Sequence, residues 1–249
     1  MSDHPLNIER NLAVVHQRIR QTVERTGRPT DSVKLLLATK TVHPELIAKA
    51  IAAGELLIGE NKVQEFRDKD PVLKDLPVRR HFIGHLQSNK VKDVLKYADL
   101  IESLDRSDIA EALHRRLDAT GRNLEVMIQV NTSFEKSKFG IDPGEVFQFI
   151  QELRKYPTLK VTGLMTIGLF DADPEKVRPS YTLLRYLRDE IIAENLLPAE
   201  TFRELSMGMS GDLETAIEEG ATIVRVGTAI FGQRIYPDSY YWNEQTPLL

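Results

Sequence analysis

Eight times along the chain a short apolar, β-branched run breaks off, and after each of the first seven comes a stretch with helical spacing. The runs cover 35–39, 56–59, 81–84, 100–104, 126–130, 161–167, 204–207 and 222–226. They are too short for core helices and long enough for strands. Strands that alternate with helices pair in parallel through right-handed crossovers. Eight such units in about 220 residues predict a closed (β/α)8 TIM barrel, with a doubly wound open sheet as the alternative.

The intervening segments carry helix punctuation. Segment 44–53 has Pro44 in its first turn and Gly54 just past its end, and 143–154 places Val146, Phe149, Ile150 and Leu153 on one face. Ahead of the first run, Ile8, Leu12, Val15, Ile19 and Val23 recur every three or four residues. An extra N-terminal helix is therefore predicted over 5–26, stopped by Gly27 and Pro29. No Pro/Gly/Ser-rich linker interrupts the ladder, so 1–249 reads as a single domain: helix, barrel over 34–234, and a tail over 235–249, rich in aromatics and proline, lying across the barrel.

Composition excludes several classes. Lys and Arg number 33 against 37 Asp and Glu, a net charge of −4, which argues against a general binder of nucleic acid or anionic membrane. The absence of cysteine removes disulfides, thiolate nucleophiles and Cys-type zinc sites, and a reducing, cytoplasmic setting is expected. The opening MSDHPLNIERN has no basic region followed by an apolar one, and no run of about 18 uncharged apolar residues exists, so neither export nor membrane insertion is expected.

In a barrel the carboxyl ends of all strands open onto one face, where sites are built. There the first run ends in Ala38-Thr39-Lys40, the second in Glu60-Asn61, the third in Gly84-His85 and the fifth in Asn131. The seventh ends in SMGMSGD (206–212) and the eighth in RVGTAIFG (225–232). Small, hydrogen-bonding residues are densest after these last two, the usual place for phosphate. Gly208 and Gly211 admit close backbone approach, Ser210 can cap a helix beginning there, and Gly227-Thr228 adds donors. The plainer reading is an ordinary Ser cap with turn glycines, Asp212 satisfying the helix dipole. An unpaired ammonium is costly to bury, so Lys40 at a strand end needs a reason. Facing an anion site it suggests an imine-forming amine, its ordinary pKa of about 10.4 lowered by partial burial and by Arg225. The plainer reading is a solvated lysine.

Other candidates carry less. His81 and His85 are four apart on a strand and its exit, without a Glu motif, and no metal site is expected. KVKDVLK (90–96) reads as the solvated face of an amphipathic helix, with Lys90 and Lys92 available for a weak acidic contact. GELLIGEN lacks the G-x-G-x-x-G spacing for a nicotinamide cofactor.

From Leu36 to Arg234 the chain carries, in order, ATK (38–40), IGENKVQE (58–65), HFIGHLQSNK (81–90), IQVN (128–131), the 138–140 turn, GLMTI (163–167), SMGMSGD and VRVGTAIFG. This series resembles the pyridoxal 5′-phosphate (PLP) homeostasis proteins, a family similar to the barrel domain of alanine racemase. The resemblance implies that Lys40 carries PLP as a Schiff base, that Ser210, Gly227 and Thr228 hold its phosphate, and that Arg225 faces the pyridine nitrogen. Asn61 would lie near the ring, with Ser206, Met207 and Met209 lining the pocket.

A guanidinium at the ring nitrogen donates rather than accepts, discourages ring protonation and leaves a weaker electron sink. The racemase relatives draw a second acid/base, a tyrosine, from an added β domain and a neighbouring subunit. This sequence ends at Leu249, and a racemase-like barrel without the C-terminal β domain is expected. The implied function is reversible PLP holding in intracellular PLP homeostasis and amino- and keto-acid balance, with no catalytic residue. PLP-requiring apoenzymes are the candidate recipients, and a monomer is expected over a weak dimer. The alternatives are a PLP-dependent racemase or lyase using Lys40 with Tyr236, Tyr240 or Tyr241, and a regulatory protein for which PLP is only a structural ligand.

Overall fold

A computed structural model describes residues 6–169, 171 and 173–232. Among these, the strands are β1 (Lys34–Ala38), β2 (Leu57–Glu60), β3 (Arg79–Phe82), β4 (Leu100–Leu104), β5 (Leu124–Gln129), β6 (Leu159–Met165), β7 (Glu204–Ser206) and β8 (Ile223–Val226). They pair in parallel in chain order, and β8 returns to β1, with Leu37 in register with Val226. The sheet is thus a closed barrel and not the doubly wound alternative. The expected strands are shifted by no more than two residues at either end. β3 and β5 start before their apolar runs because the backbone ladder begins there: the Arg79 N–H donates to the Leu56 carbonyl at 2.8 Å and the Leu124 N–H to the Thr158 carbonyl at 2.9 Å.

Helix α1 (Ile8–Arg25) precedes the barrel. After the strands come α2 (Pro44–Ala52), α3 (Val63–Leu73), α4 (Val91–Val94), α5 (Ser107–Asp118), α6 (Val146–Leu153), α7 (Pro174–Ala193), α8 (Leu213–Glu218) and α9 (Thr228–Phe231). The helix expected over 90–96 is shorter: a 3-10 turn, Ser88–Lys90, leads into the single turn of α4. The chain must rejoin the sheet by Asp99, whose N–H donates to the Arg80 carbonyl at 2.8 Å. Lys90 and Lys92 are exposed, as a solvated face requires.

Strand alternation sorts the core into two. Leu35 and Leu37 pack outward against the helices, whereas Leu36 turns inward to join Leu100, Met127, Met165 and Ile223. Each such side chain contributes roughly 1.5–3 kcal/mol on burial. At the amino-terminal floor Lys34 pairs with Glu204 at 2.7 Å, and a cavity of about 710 Å³ opens there between Lys34, Arg79, Glu125 and Glu204.

Helix α1 buries Ile8, Leu12, Val15, Ile19 and Val23, as its spacing predicts, and packs on α8 and α9. Its polar face braces the opposite end of the barrel. Arg18 grips the Glu214 carboxylate with two nitrogens, at 2.6 and 2.8 Å, and donates to the Ser210 carbonyl at 3.1 Å. The expected tail over 235–249, with Tyr236, Tyr240 and Tyr241, lies outside the described residues, as does the end of the barrel range at 233–234. No helix among the described residues is long and apolar enough to cross a membrane.

Candidate functional site

Lys40 follows β1 by two residues and is only 9% exposed. Its neighbour across the closing seam is the end of β8. Gly227 approaches so closely that a Cβ there would lie 2.8 Å from the Ala38 carbonyl oxygen, so the residue must be glycine for the two strand ends to meet. Asn61 leaves β2 on the other side of β1, which pairs with β2 through Ala38 and Gly59. Lys40, Asn61, Gly227 and Thr228 therefore share one rim.

Two hydroxyls and a backbone N–H converge on that rim. Thr228 Oγ1 donates to Ser210 Oγ at 3.1 Å, and the Ala229 N–H donates to the same oxygen at 3.3 Å. The structure corrects one expectation: Ser210 does not cap the helix after β7. Asp212 holds the cap position of α8 and accepts from the Met209 N–H at 2.6 Å, while Ser210 turns across to the start of α9. Asp212 is itself held by Tyr181, whose hydroxyl donates at 2.9 Å. Burial, and then the charge of Asp212, push that hydroxyl well above the ordinary tyrosine range, so it acts as a neutral donor. Gly208 makes the turn possible at φ +92°, and a Cβ there would lie 2.4 Å from that of Ala216.

Beneath the rim, Arg225 is 6% exposed and fixed from two directions. It donates from Nη1 to Ser206 Oγ and from Nη2 to the Thr166 carbonyl, each at 2.7 Å. Ser206 passes its proton contact on to Glu102 Oε2 at 2.6 Å, and Glu102 Oε1 lies 2.7 Å from His81 Nδ1. A continuous buried chain, Arg225–Ser206–Glu102–His81, thus crosses the barrel interior. Burial alone would raise the Glu102 pKa, but the His81 bond and charge, the Arg225 charge and the Ser206 bond together hold it below the ordinary carboxylate value.

Of the sequence candidates, Lys40, Asn61, Ser210, Gly227 and Thr228 come together at the rim, with Arg225 below and Met209 in the supporting loop. Met207 does not line this site: it is fully buried in the outer core. Strand alternation turns it away from the barrel interior that Ser206 enters. His81 and His85 have separate surroundings, the first against Glu102 and the second stacked on Phe139 with ring centroids 3.7 Å apart. Glu102 was not singled out from the sequence. Its one signal is a carboxylate in the middle of LIESL, a strand whose five residues are all buried.

The model of the alanine racemase N-terminal domain matches residues 9–235. A pyridoxal phosphate homeostasis protein from Aquifex aeolicus is 44% identical over 231 residues, covering 93% of this chain and 100% of the relative. The chain belongs to the pyridoxal phosphate homeostasis proteins. Two solved structures agree with that membership. A Bifidobacterium adolescentis protein aligns with a TM-score of 0.85 at 41% identity, covering 90% of this chain and 94% of its own. PipY of Synechococcus elongatus, solved with PLP bound, aligns at 0.78 and 32% identity over 91% of this chain and 100% of its own. The closed parallel barrel is thus the fold of the homeostasis proteins, and the rim that gathers Lys40, Ser210 and Thr228 is its carboxyl-terminal face.

Proposed function

We propose that this chain binds PLP at the carboxyl-terminal rim, with Lys40 as the covalent attachment point. The observation that carries the reading is the meeting of a nearly buried amine with two hydroxyls and a backbone N–H at the seam of β1 and β8. The donor set suits the cofactor: an amine for its aldehyde, neutral donors for its phosphate and a guanidinium for its ring nitrogen. That PipY is solved with PLP bound supports PLP as the ligand.

PLP supplies an aldehyde that condenses with amines, a phosphate and an electron-withdrawing ring. Lys40 would be the residue that holds the cofactor through its aldehyde, the amine being the group at the rim able to condense with it reversibly. Ser210, Thr228 and the Ala229 N–H would hold the phosphate, on a loop fixed by Arg18 and Asp212, with Gly227 keeping the backbone close. Asn61 and Met209 would lie beside the ring. Arg225, anchored by Ser206 and Thr166, would offer its remaining donors to the ring nitrogen. A guanidinium there donates without accepting a proton, and this favours holding the cofactor over labilising a substrate bond.

The function is accordingly reversible storage and delivery of PLP in its homeostasis and in amino- and keto-acid balance, by a cytoplasmic protein serving PLP-requiring apoenzymes. Titration with PLP and pyridoxal tests the cradle. PLP should bind more tightly, and Lys40→Ala should retain a weaker, non-covalent PLP affinity; equal affinity for PLP and pyridoxal refutes the assignment. Exchange of amino-acid α-protons in deuterated water tests the absence of catalysis. Exchange faster than with free PLP would make the protein an enzyme.

A further inference from the structure

The turn that carries Lys40 is held by buried charges. The Val42 N–H donates to the Thr39 carbonyl at 3.0 Å, which closes a four-residue turn with Lys40 and Thr41 at its centre. Thr41 has φ 63°, a left-handed conformation that turns normally reserve for glycine or asparagine and that β-branched residues avoid. Its side chain is exposed, so packing does not impose the conformation.

Three groups from β2 and α3 do. Glu65 accepts the Thr41 N–H on both carboxylate oxygens, each at 3.2 Å. Lys69 donates to the Thr39 carbonyl at 2.7 Å and pairs with Glu65 at 2.6 Å and Glu60 at 2.7 Å. Glu60 in turn accepts from the Thr39 hydroxyl at 2.6 Å. Glu60, Glu65 and Lys69 are 0%, 5% and 6% exposed. Burying three charges is a poor route to stability, since apolar side chains of the same volume serve as well or better. What this cluster does that apolar residues cannot is hydrogen-bond the backbone on both sides of Lys40.

We propose that Glu65, backed by Lys69 and Glu60, is a positioning residue for Lys40: it enforces the strained turn that presents the Lys40 amine at the rim. The inference rests on the PLP reading above. Glu65→Met removes both acceptors at similar volume and leaves the Lys69–Glu60 pair in place. The left-handed penalty for a non-glycine residue corresponds to about tenfold, so covalent attachment of PLP should slow by about that factor.

Pyridoxine 5′-phosphate, which has an alcohol in place of the aldehyde, reports the cradle alone, and its affinity should not change. Adding Thr41→Gly removes the penalty and should restore most of the attachment rate, a rescue that a purely structural role for Glu65 does not allow. A wild-type rate in Glu65→Met, parallel loss of both ligands, or no recovery with Thr41→Gly overturns the proposal. If circular dichroism shows Glu65→Met unfolded, Thr39→Val, which cuts the hydroxyl from Glu60, is the second variant. Slower attachment with unchanged pyridoxine 5′-phosphate affinity then supports the proposal, and any other result overturns it. A wild-type protein that takes no PLP overturns the cofactor reading instead, before any variant is made.

Discussion

Glu102→Gln tests the buried chain under the rim. In the wild-type protein this carboxylate accepts two short bonds, from Ser206 at 2.6 Å and at His81 Nδ1 at 2.7 Å, and is connected through Ser206 to Arg225. The amide keeps one acceptor oxygen and most of the volume, but it must turn its NH2 toward one of the two partners. Losing a hydrogen bond to a charged acceptor costs about 1.5–3 kcal/mol. Leaving Arg225 buried without a carboxylate adds to this, up to the ~3–5 kcal/mol seen when one partner of a buried pair is removed. We expect a loss of about 3 kcal/mol in urea unfolding at neutral pH, or roughly 6–12 °C in melting temperature for a domain of this size.

The sign of the pH dependence is fixed as well. Because the folded Glu102 pKa is depressed, its stabilisation is present above the ordinary carboxylate pKa and disappears as pH falls through the folded value. The gap between wild type and variant should be widest at neutral pH and narrow in acid. A loss below about 1 kcal/mol at neutral pH, or a gap that widens in acid, would refute the reasoning.

Other expectations concern the rim. Ser210→Ala and Thr228→Val each remove a hydroxyl from the proposed phosphate cradle, and each should weaken PLP about tenfold by calorimetric titration while leaving pyridoxal unchanged. Gly227→Ala introduces a Cβ 2.8 Å from the Ala38 carbonyl, and the crowding should cost about 1–3 kcal/mol in urea unfolding. Tyr181→Phe deprives Asp212 of a buried donor and should cost about 2 kcal/mol, read by thermal unfolding.

The sequence makes the barrel legible because most crossovers repeat the same pattern, an apolar run followed by a 3.6-residue spacing with a proline or glycine at its margin. Pro44, Gly54 and the stripe in α1 mark their elements in this way. Lys40, Ser210 and Thr228 were legible for the same reason, since each falls just past a strand, where barrel topology fixes the face. Contacts that depend on closure were not. Whether Glu102 points into the barrel or away from it depends on register, and the β4–β5 and β5–β6 pairings shift register part-way along. The exchange between Ser210 and Asp212 at the start of α8 turns on which side chain reaches a neighbouring loop, and either residue type makes a good cap. Thr41 gives no local sign of its left-handed backbone, because its causes, Glu65 and Lys69, lie 24 and 28 positions further along the chain.

Borohydride reduction of the PLP-loaded protein, followed by peptide mass mapping, tests most directly whether the amine beyond β1 and the donors beyond β7 and β8 serve one cofactor. The expected result is a pyridoxyl group on Lys40, absent from Lys40→Ala and diminished in Ser210→Ala. A label on a different lysine, or a wild-type protein that remains unlabelled, would contradict the account.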